Sequence, residues 1–426
     1  MASIKKRGNS YQIRICIGRT PDGKQKFYNE SYHPTAKSEK KALQEVHERA
    51  AILERELKSG LRYEGNAFTF YDFAFMWRDE WAKNNLTTKV IENYFEIYNN
   101  HVFDEIGGIP VNKITALQLQ KLINGLIKKR LAAATVKHIY TAINAVMRYA
   151  FKMSLINENP CERIDLPKIK NDNELHFFNL DQAKRFLNAL DMPLIVNYSE
   201  RTRKDNTGHN YSIAAYSTQK DVDFQFKVYF YLALYGGFRR SELLALTWND
   251  IDFDENSISI NKAITNVKAG QKVKDTKSSA GVRKINLPDV CFKLLRLWYK
   301  EQKSLSVKLG TMWTGYRGID YDNNFVFING SGNMMSITLP RKKFKAIIKN
   351  YNSQVADEYK LPDIRLHDLR HTSATLLLAN GTDIETVSKR LGHSKTSVTL
   401  DVYGHALEEM DKKAAATLEN IFYKNA

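Results

Sequence analysis

The feature that most constrains the fold is a change in apolar period between residues 32 and 43. Before it, polar and apolar residues alternate in two short runs, Tyr11 to Ile17 and Gln25 to Tyr32, separated by Thr20-Pro21-Asp22-Gly23. Alternation gives a strand one apolar face, and Pro-Asp-Gly is turn chemistry, so this segment predicts a small antiparallel sheet. From Ser38 to Ser59, Leu43, Val46, Ala50, Leu53 and Leu57 recur at helical spacing until Gly60 ends the run. Residues 1–60 thus form a first unit, a sheet plus one helix.

The next unit, 66–168, has the helical period throughout. Thr69 is a cap for a helix whose face is Phe70, Phe73, Ala74, Trp77 and Trp81, and Thr115 opens another carrying Leu119, Leu122, Ile123 and Leu126. Thr135 opens a third, with Val136, Ile139, Ile143, Val146, Met147 and Ala150 inward and Lys137, His138 and Arg148 free to meet phosphates. Aromatics at such spacings belong to a core rather than to base stacking. Asn159-Pro160 and Lys168 to Glu174 form a linker. In the last unit, 175–426, Leu180 to Leu190 and Phe224 to Tyr235 are helical, Ile251 to Leu287 is strands and turns, and helices dominate from Arg341 on. The polar stretch Asn197 to Asp221 is either a functional insertion or a disordered one. The fold class is multidomain and mainly α, with a small N-terminal β-sheet, a helical unit and a mixed α+β unit.

A chain of 426 residues suits two or three domains of roughly 100 to 200 residues each. Lys and Arg number 64 against 47 Asp and Glu, a formal charge of +17, which draws polyanions to the surface. Nucleic acid leads the partner classes, with an anionic membrane surface second. No stretch approaches the roughly 20 apolar residues of a membrane span, and Met1 to Ser10 has no apolar signal region behind it, so a cytoplasmic, nucleoid-associated protein is expected. Cys16, Cys161 and Cys291 lack zinc or disulfide spacing and are expected to be reduced. On the sheet, Lys5, Lys6, Arg7, Arg14, Arg19, Lys24 and Lys26 face only Asp22 and Glu30. One face therefore suits a DNA groove, with ordinary solvated charge as the alternative.

The last unit carries Gly237-Phe238-Arg239-Arg240-Ser241-Glu242, Leu366-His367-Asp368-Leu369-Arg370-His371, Leu391-Gly392-His393 and Thr399-Leu400-Asp401-Val402-Tyr403. In this order and spacing they resemble the signature boxes of the tyrosine recombinase family of phage and conjugative-transposon integrases, over about Leu180 to Phe422. Any one box is weak evidence, since His-x-x-Arg arises often by chance; four in order are not. The resemblance implies an arm-site DNA-binding sheet at 1–60, a helical core-binding domain at 66–168 and a catalytic domain at 175–426 ending in a tail helix.

It also implies a chemistry. In-line transfer at a phosphodiester loads negative charge onto the nonbridging oxygens, which planar, permanently charged arginine forks hold well. The resemblance assigns that clamp to Arg239, with Arg240 as its rival, and Arg370. A tyrosine hydroxyl is a poor nucleophile at neutral pH, so the family pairs it with a proton acceptor. Here the nucleophile is Tyr403, the acceptor His367 and the phosphate-directed donor His393, while His371 and His405 count as surface or core groups. The leaving 5′ oxygen needs a general acid; the family uses a lysine on a β-turn, and Lys277 fits best, with Lys274 and Lys272 open. Glu242 orients Arg239 or a backbone group, or is purely structural. Arm and core DNA contacts fall to Lys5, Arg7, Arg14, Lys24, Lys26, Lys137 and Arg148. No cofactor and no metal is implied.

The expected reaction is cleavage and rejoining of DNA through a 3′-phosphotyrosyl link, integrating or excising a mobile element. Partners are double-stranded DNA at core and arm-type sites, further copies of the chain as a tetramer at synapsis, and an excisionase or host DNA-bending protein. The tail face Leu407, Met410, Ala414, Leu418 and Ile421 packs on its own domain or a neighbour's. A type IB topoisomerase shares the chemistry, a silent DNA-binding regulator shares the fold, and a metal-dependent nuclease lacks its carboxylate cluster here.

Overall fold

The computed structural model describes residues 3–8, 10–19, 25–36, 38–58, 68–168, 176–275, 281–400, 402–403 and 422, with 17–19, 26 and 55–58 as backbone only. The chain divides into two compact units, residues 1–171 and 172–426.

In the first unit, β1 (Ser3–Arg7), β2 (Ser10–Arg19) and β3 (Gln25–Tyr32) form an antiparallel sheet in that order. Alternation sends Tyr11, Ile13 and Ile15 to one face, where they bury against Val46, Ala50 and Leu53 of α1 (Glu39–Lys58). Leu43, expected on that face, stands exposed, and its neighbour Ala42 is buried instead. The register pairs Lys5 with Gln12 and Ser3 with Arg14, placing Lys5, Arg7 and Arg14 together on the open face, all exposed. Arg14 lies over the Phe27 ring, 3.7 Å from its centroid. Lys6 points the other way and ion-pairs with Glu39 at the start of α1.

The helical part has its own core. α2 (Phe70–Trp77) runs through a wide turn, Arg78–Ala82, into α3 (Lys83–Asn85), followed by α4 (Thr88–His101), α5 (Ala116–Lys128) and α6 (Ala133–Lys152). Thr69 caps α2 by accepting from Asp72 N at 3.2 Å, and Thr115 forms a capping box with Gln118 on α5. α6 starts at Ala133, so Thr135 lies inside it and does not open it; Ala132 holds the cap position without a side-chain bond. The apolar face of α6 closes on Phe70, Phe73, Trp77 and Tyr98, leaving Lys137, His138 and Arg148 exposed.

The second unit is built around α8 (Phe224–Gly236), apolar on all sides and buried along most of its length. Before it come α7 (Leu180–Ala189) and four strands, β4 (Leu194–Tyr198), β5 (Arg201–Lys204), β6 (Asn210–Ile213) and β7 (Tyr216–Lys220). β4 pairs with β7 and β5 with β6, so the stretch 197–221 is a hairpin, stepped at residues 199–200 and 214–215. Its tip is tied by Asp205, whose carboxylate accepts from Thr207 N at 2.9 Å and His209 N at 2.8 Å. Beyond α8 lie α9 (Arg240–Leu243) and a sheet of β8 (Ile251–Asp252), β9 (Ser257–Ile260) and β12 (Arg283–Asn286) in the order β12-β9-β8. Between β9 and β12 runs the hairpin β10 (Lys262–Val267) and β11 (Gly270–Asp275). The helices α10 (Asp289–Leu309), α11 (Leu339–Asn352), α12 (Asp368–Ala379) and α13 (Ile384–Leu391) complete the unit. Among the described residues no helix is long and apolar enough to cross a membrane.

Candidate active site

Two helix ends and two helix starts converge on the site. α8 ends at Gly237, at φ +62°, where a Cβ would come 2.9 Å from Leu391 Cδ2. α13 ends at Gly392, at φ +69°. Both glycines hold left-handed C-caps that other residues adopt only with strain. Helix ends leave carbonyls without intrahelical partners, and here two arginines take them. Arg370, in the first turn of α12, donates through Nη1 to Gly237 O at 2.8 Å and through Nη2 to Leu391 O at 2.7 Å. Arg239, the N-cap of α9, donates through Nη2 to Gly392 O at 3.1 Å. The negative ends of the helix dipoles favour both cations.

Glu242 holds the second side of the clamp. One carboxylate oxygen takes Arg239 Nη1 at 2.8 Å, and the other takes Arg239 N at 2.9 Å and Arg283 Nη2 at 2.8 Å. Burial alone would raise the Glu242 carboxyl, but the Arg283 and Arg239 bonds and charges outweigh it and hold it below the ordinary range. Arg283 also donates through Nε to Arg390 O at 2.8 Å. In the sequence Arg283 falls within the strands and turns of Ile251 to Leu287, and a lone arginine six residues after a candidate lysine has no local signature of a buried partner. Arg370 is 3% exposed. Burial and the nearby Arg239 charge pull its guanidinium down to about 9, still cationic at neutral pH.

Tyr403 is 2% exposed and packs with Ala374, Leu378, Val387 and Leu391. Burial pushes its phenol up to about 12, opposed by the charge of Arg370. Its Oη lies 2.8 Å from Nδ1 of His371, the histidine set aside as a surface or core group. His371 is pushed down to about 4, by burial first and by His367 second, so the ring is neutral, and in its Nε2–H tautomer Nδ1 accepts from the phenol. His367, at the N-cap of α12, meets His371 edge to face at 5.3 Å and is lowered by burial and by Arg370. His393 pairs through Nδ1 with the buried Thr399 hydroxyl at 2.8 Å, which leaves its Nε2 for another partner. It too is pushed down to about 4, by burial and then by Arg370, Arg239 and Arg283.

Arg239, Glu242, Arg370, His371, His393 and Tyr403 are therefore linked through α8, α9, α12 and α13. Lys277 lies outside the described residues, in the connection from β11 to β12. Its rivals sit in β11, Lys272 opposite Thr265 and exposed, Lys274 opposite Ala263 and half-buried. Lys24, the Lys26 side chain, His405 and the tail face 407–421 also lie outside the described residues. Lys5, Arg7, Arg14, Lys137 and Arg148 belong to the first unit and are no part of this cluster. Among the described residues, no group of three His, Cys, Asp or Glu side chains is placed to hold a metal ion.

Residues 208–410 match the profile of the phage integrase family, and residues 69–127 that of the phage integrase N-terminal SAM-like domain. The tyrosine recombinase XerC-like protein of Caldanaerobacter subterraneus subsp. tengcongensis is 24% identical over 434 residues, covering 98% of each chain. The ICEBs1 integrase of Bacillus subtilis is 24% identical over 425 residues, covering 98% of this chain and 100% of its own. Among solved structures, the Tn1549 transposon integrase in complex with transposon right end DNA superposes with a TM-score of 0.61 at 20% identity, over 82% of this chain and 100% of that one. That likeness is one of fold. The chain belongs to the phage integrase family of tyrosine recombinases, enzymes that cleave and rejoin DNA through a tyrosine intermediate without a metal.

Proposed function

We propose that Tyr403 attacks a DNA phosphodiester and carries the 3′ phosphate as a covalent intermediate, so that the enzyme integrates or excises a mobile element at a specific site. The observation that carries this reading is a buried tyrosine hydroxyl bonded to a neutral histidine beside a fixed arginine pair. A phenol at about 12 costs roughly 7 kcal/mol to ionise at pH 7. Its proton therefore leaves as attack proceeds and not beforehand.

Arg239 and Arg370 are the phosphate clamp. Their positions are fixed before DNA arrives, so charge developing on the phosphate meets oriented donors at no cost of reorganisation. His393, its Nδ1 engaged by Thr399, offers Nε2 to a phosphate oxygen, and Lys277 protonates the leaving 5′ oxygen. Glu242 orients Arg239. His367, the acceptor that the resemblance implies, meets the ring of His371, while the hydrogen bond to Tyr403 Oη is made by His371.

The open sheet face, with Lys5, Arg7, Arg14, Lys24 and Lys26, binds arm-type DNA, and Lys137 and Arg148 contact the core site. Synapsis joins four copies of the chain, with an excisionase or a host DNA-bending protein setting direction. A DNA substrate of this kind puts the enzyme in the cytoplasm, at the nucleoid.

The test is a nicked trapping duplex that strands the covalent intermediate. Wild-type protein is expected to yield a protein–DNA adduct that persists in EDTA, whereas Tyr403→Phe binds the duplex normally and yields none. An adduct from Tyr403→Phe defeats the assignment.

A further inference from the structure

One side chain of the cluster has no role in the scheme above, although it touches the reacting atom. His371 follows Arg370 on α12, and its Nδ1 lies 2.8 Å from Tyr403 Oη. A general base must stand within about 2.6–3.2 Å of the proton it takes, and His371 meets that requirement. We propose that His371 is a catalytic residue, the acceptor of the Tyr403 proton during cleavage and its donor during rejoining. This deepens the reading of Tyr403 as nucleophile and rests on it.

Three observations carry the inference. The first is the bond itself, 2.8 Å long: with Nδ1 as acceptor, the O–H points at the ring and the oxygen lone pairs stay free for phosphorus. The second is the state of the pair. With the phenol held high and the imidazole held low, the ring is neutral at neutral pH, and in its Nε2–H tautomer Nδ1 carries the lone pair that a base needs. The third is what DNA changes. After burial, His371 is held down by His367 and by the charges of Arg365 and Arg370, with Asp368 acting in the opposite sense. A phosphate seated on Arg370 and Arg239 offsets the arginine charge, and the extra negative charge of the transition state offsets it further. The ring gains basicity at the moment the proton must move.

The Oη–P bond forms and the P–O5′ bond breaks while the Oη–H proton passes to Nδ1, leaving an imidazolium. The 5′ oxygen departs with the bonding pair and takes a proton from the general acid, Lys277 in the scheme above. In rejoining, the 5′ hydroxyl attacks phosphorus and gives its proton to the neutral Lys277 amine, the Oη–P bond breaks, and Nδ1 returns its proton to Oη. His367, next to His371 but not bonded to the tyrosine, stays free for a phosphate oxygen.

The experiment uses the full-length protein and the trapping duplex. His371→Phe keeps an aromatic ring and removes the acceptor; adduct formation should slow by about a hundredfold, within the usual range for acid–base groups, with DNA binding unchanged. His371→Asn retains an oxygen that accepts a hydrogen bond but takes no proton, so it should stay nearly as slow. Recovery of the wild-type rate by the asparagine variant overturns the proton role. In a Tyr403→Phe background, a duplex whose 3′ phosphate carries p-nitrophenol should be ligated equally well with and without His371→Phe, because nitrophenolate leaves unprotonated. Equal ligation there also shows that the variant is folded, and a hundredfold loss overturns the proposal. If His371→Phe forms adduct at the wild-type rate while Tyr403→Phe forms none, this inference fails alone; if Tyr403→Phe forms adduct, the nucleophile assignment fails first.

Discussion

The two units hold their positive charge in opposite ways. In the second unit Arg370 is 3% exposed with a carbonyl on each Nη, and the Arg283 side chain is 7% exposed against a carboxylate. In the first unit Lys5, Arg7 and Arg14 stand exposed on an open sheet, Arg14 resting on the Phe27 ring. Burying a cation costs several kcal/mol unless its neighbours are fixed and complementary. The molecule meets that cost in the unit that must stabilise a transition state. Exposed cations cost nothing to keep; they bind phosphates by releasing counterions and carry no geometric precision. Variants of the first kind should lose rate, and variants of the second kind should lose salt-dependent affinity.

The largest effect expected is at Arg370. Arg370→Ala should slow adduct formation by about a thousandfold, the upper range for loss of one preorganised donor, with DNA affinity changed far less. Arg370→Lys should not recover the rate, since one ammonium cannot span the Gly237 and Leu391 carbonyls and also hold a phosphate. Single-turnover cleavage and equilibrium binding measured on the same duplex check both statements. Equal losses of rate and affinity would make Arg370 an ordinary binding residue and erase the contrast between units.

Glu242 sharpens the comparison through stability. Glu242→Ala removes the partner of the buried Arg283 and one partner of Arg239. Breaking a buried pair from one side costs about 3–5 kcal/mol, because the other charge stays uncompensated. The urea unfolding midpoint should fall accordingly. Arg283→Met together with Glu242→Leu should restore part of the loss, with cleavage still impaired because Arg239 has lost its guide. A loss below about 1 kcal/mol for Glu242→Ala would show that solvent reaches the pair.

Much of this architecture was legible from local pattern. Val46, Ala50 and Leu53 keep the helical period and bury, and Thr69 and Thr115 cap helices because their side chains reach the third amide within one turn. The four boxes could be found because each is a short string. What escaped is non-local or unpatterned. The strands β5 and β7 are exposed at every residue, so neither shows the alternation that reveals a strand, and 197–221 carried no signal of a hairpin. Arg283 meets Glu242 across 41 residues and His371 meets Tyr403 across 32, and no spacing rule reaches so far. The start of α6 was misplaced because Thr135 is a good cap type, whereas Ala132 holds the position with no side-chain bond at all.

A smaller effect is expected from pH. His371 and His393 are both pushed down to about 4 in the folded protein, from an ordinary value near 6.5. Between those values the unfolded chain binds more protons than the folded one, so stability should fall as pH drops from about 6.5 to about 4 and gain no further histidine term below that. His393→Gln should flatten this slope without abolishing it, because His371 remains. Unfolding midpoints across the window check the sign. A stability that rises on acidification would mean that the site binds histidinium, contrary to a pocket already holding two arginines.

The smallest effect belongs to the open sheet, and Arg14 is the place to measure it. If Arg14 contributes one phosphate contact at an arm-type site, Arg14→Ala should lower the slope of log affinity against log salt by about 0.9 and leave core-site cleavage unchanged. The stacking on Phe27 adds a finer distinction. The guanidinium carbon lies 3.7 Å from the ring centroid, and such contacts are worth about 0.5–1 kcal/mol at exposed sites. Arg14→Lys keeps the charge and loses the guanidinium's contact with the ring, so its salt slope should match wild type while its affinity drops by about two- to fivefold at every salt concentration. Phe27→Leu should reproduce that uniform drop with the arginine intact, by freeing the side chain that the ring had oriented. A lysine variant whose slope falls as far as the alanine variant's would mean that the charge is useful only where the ring places it. The first unit would then resemble the second, with cations fixed in position before they act.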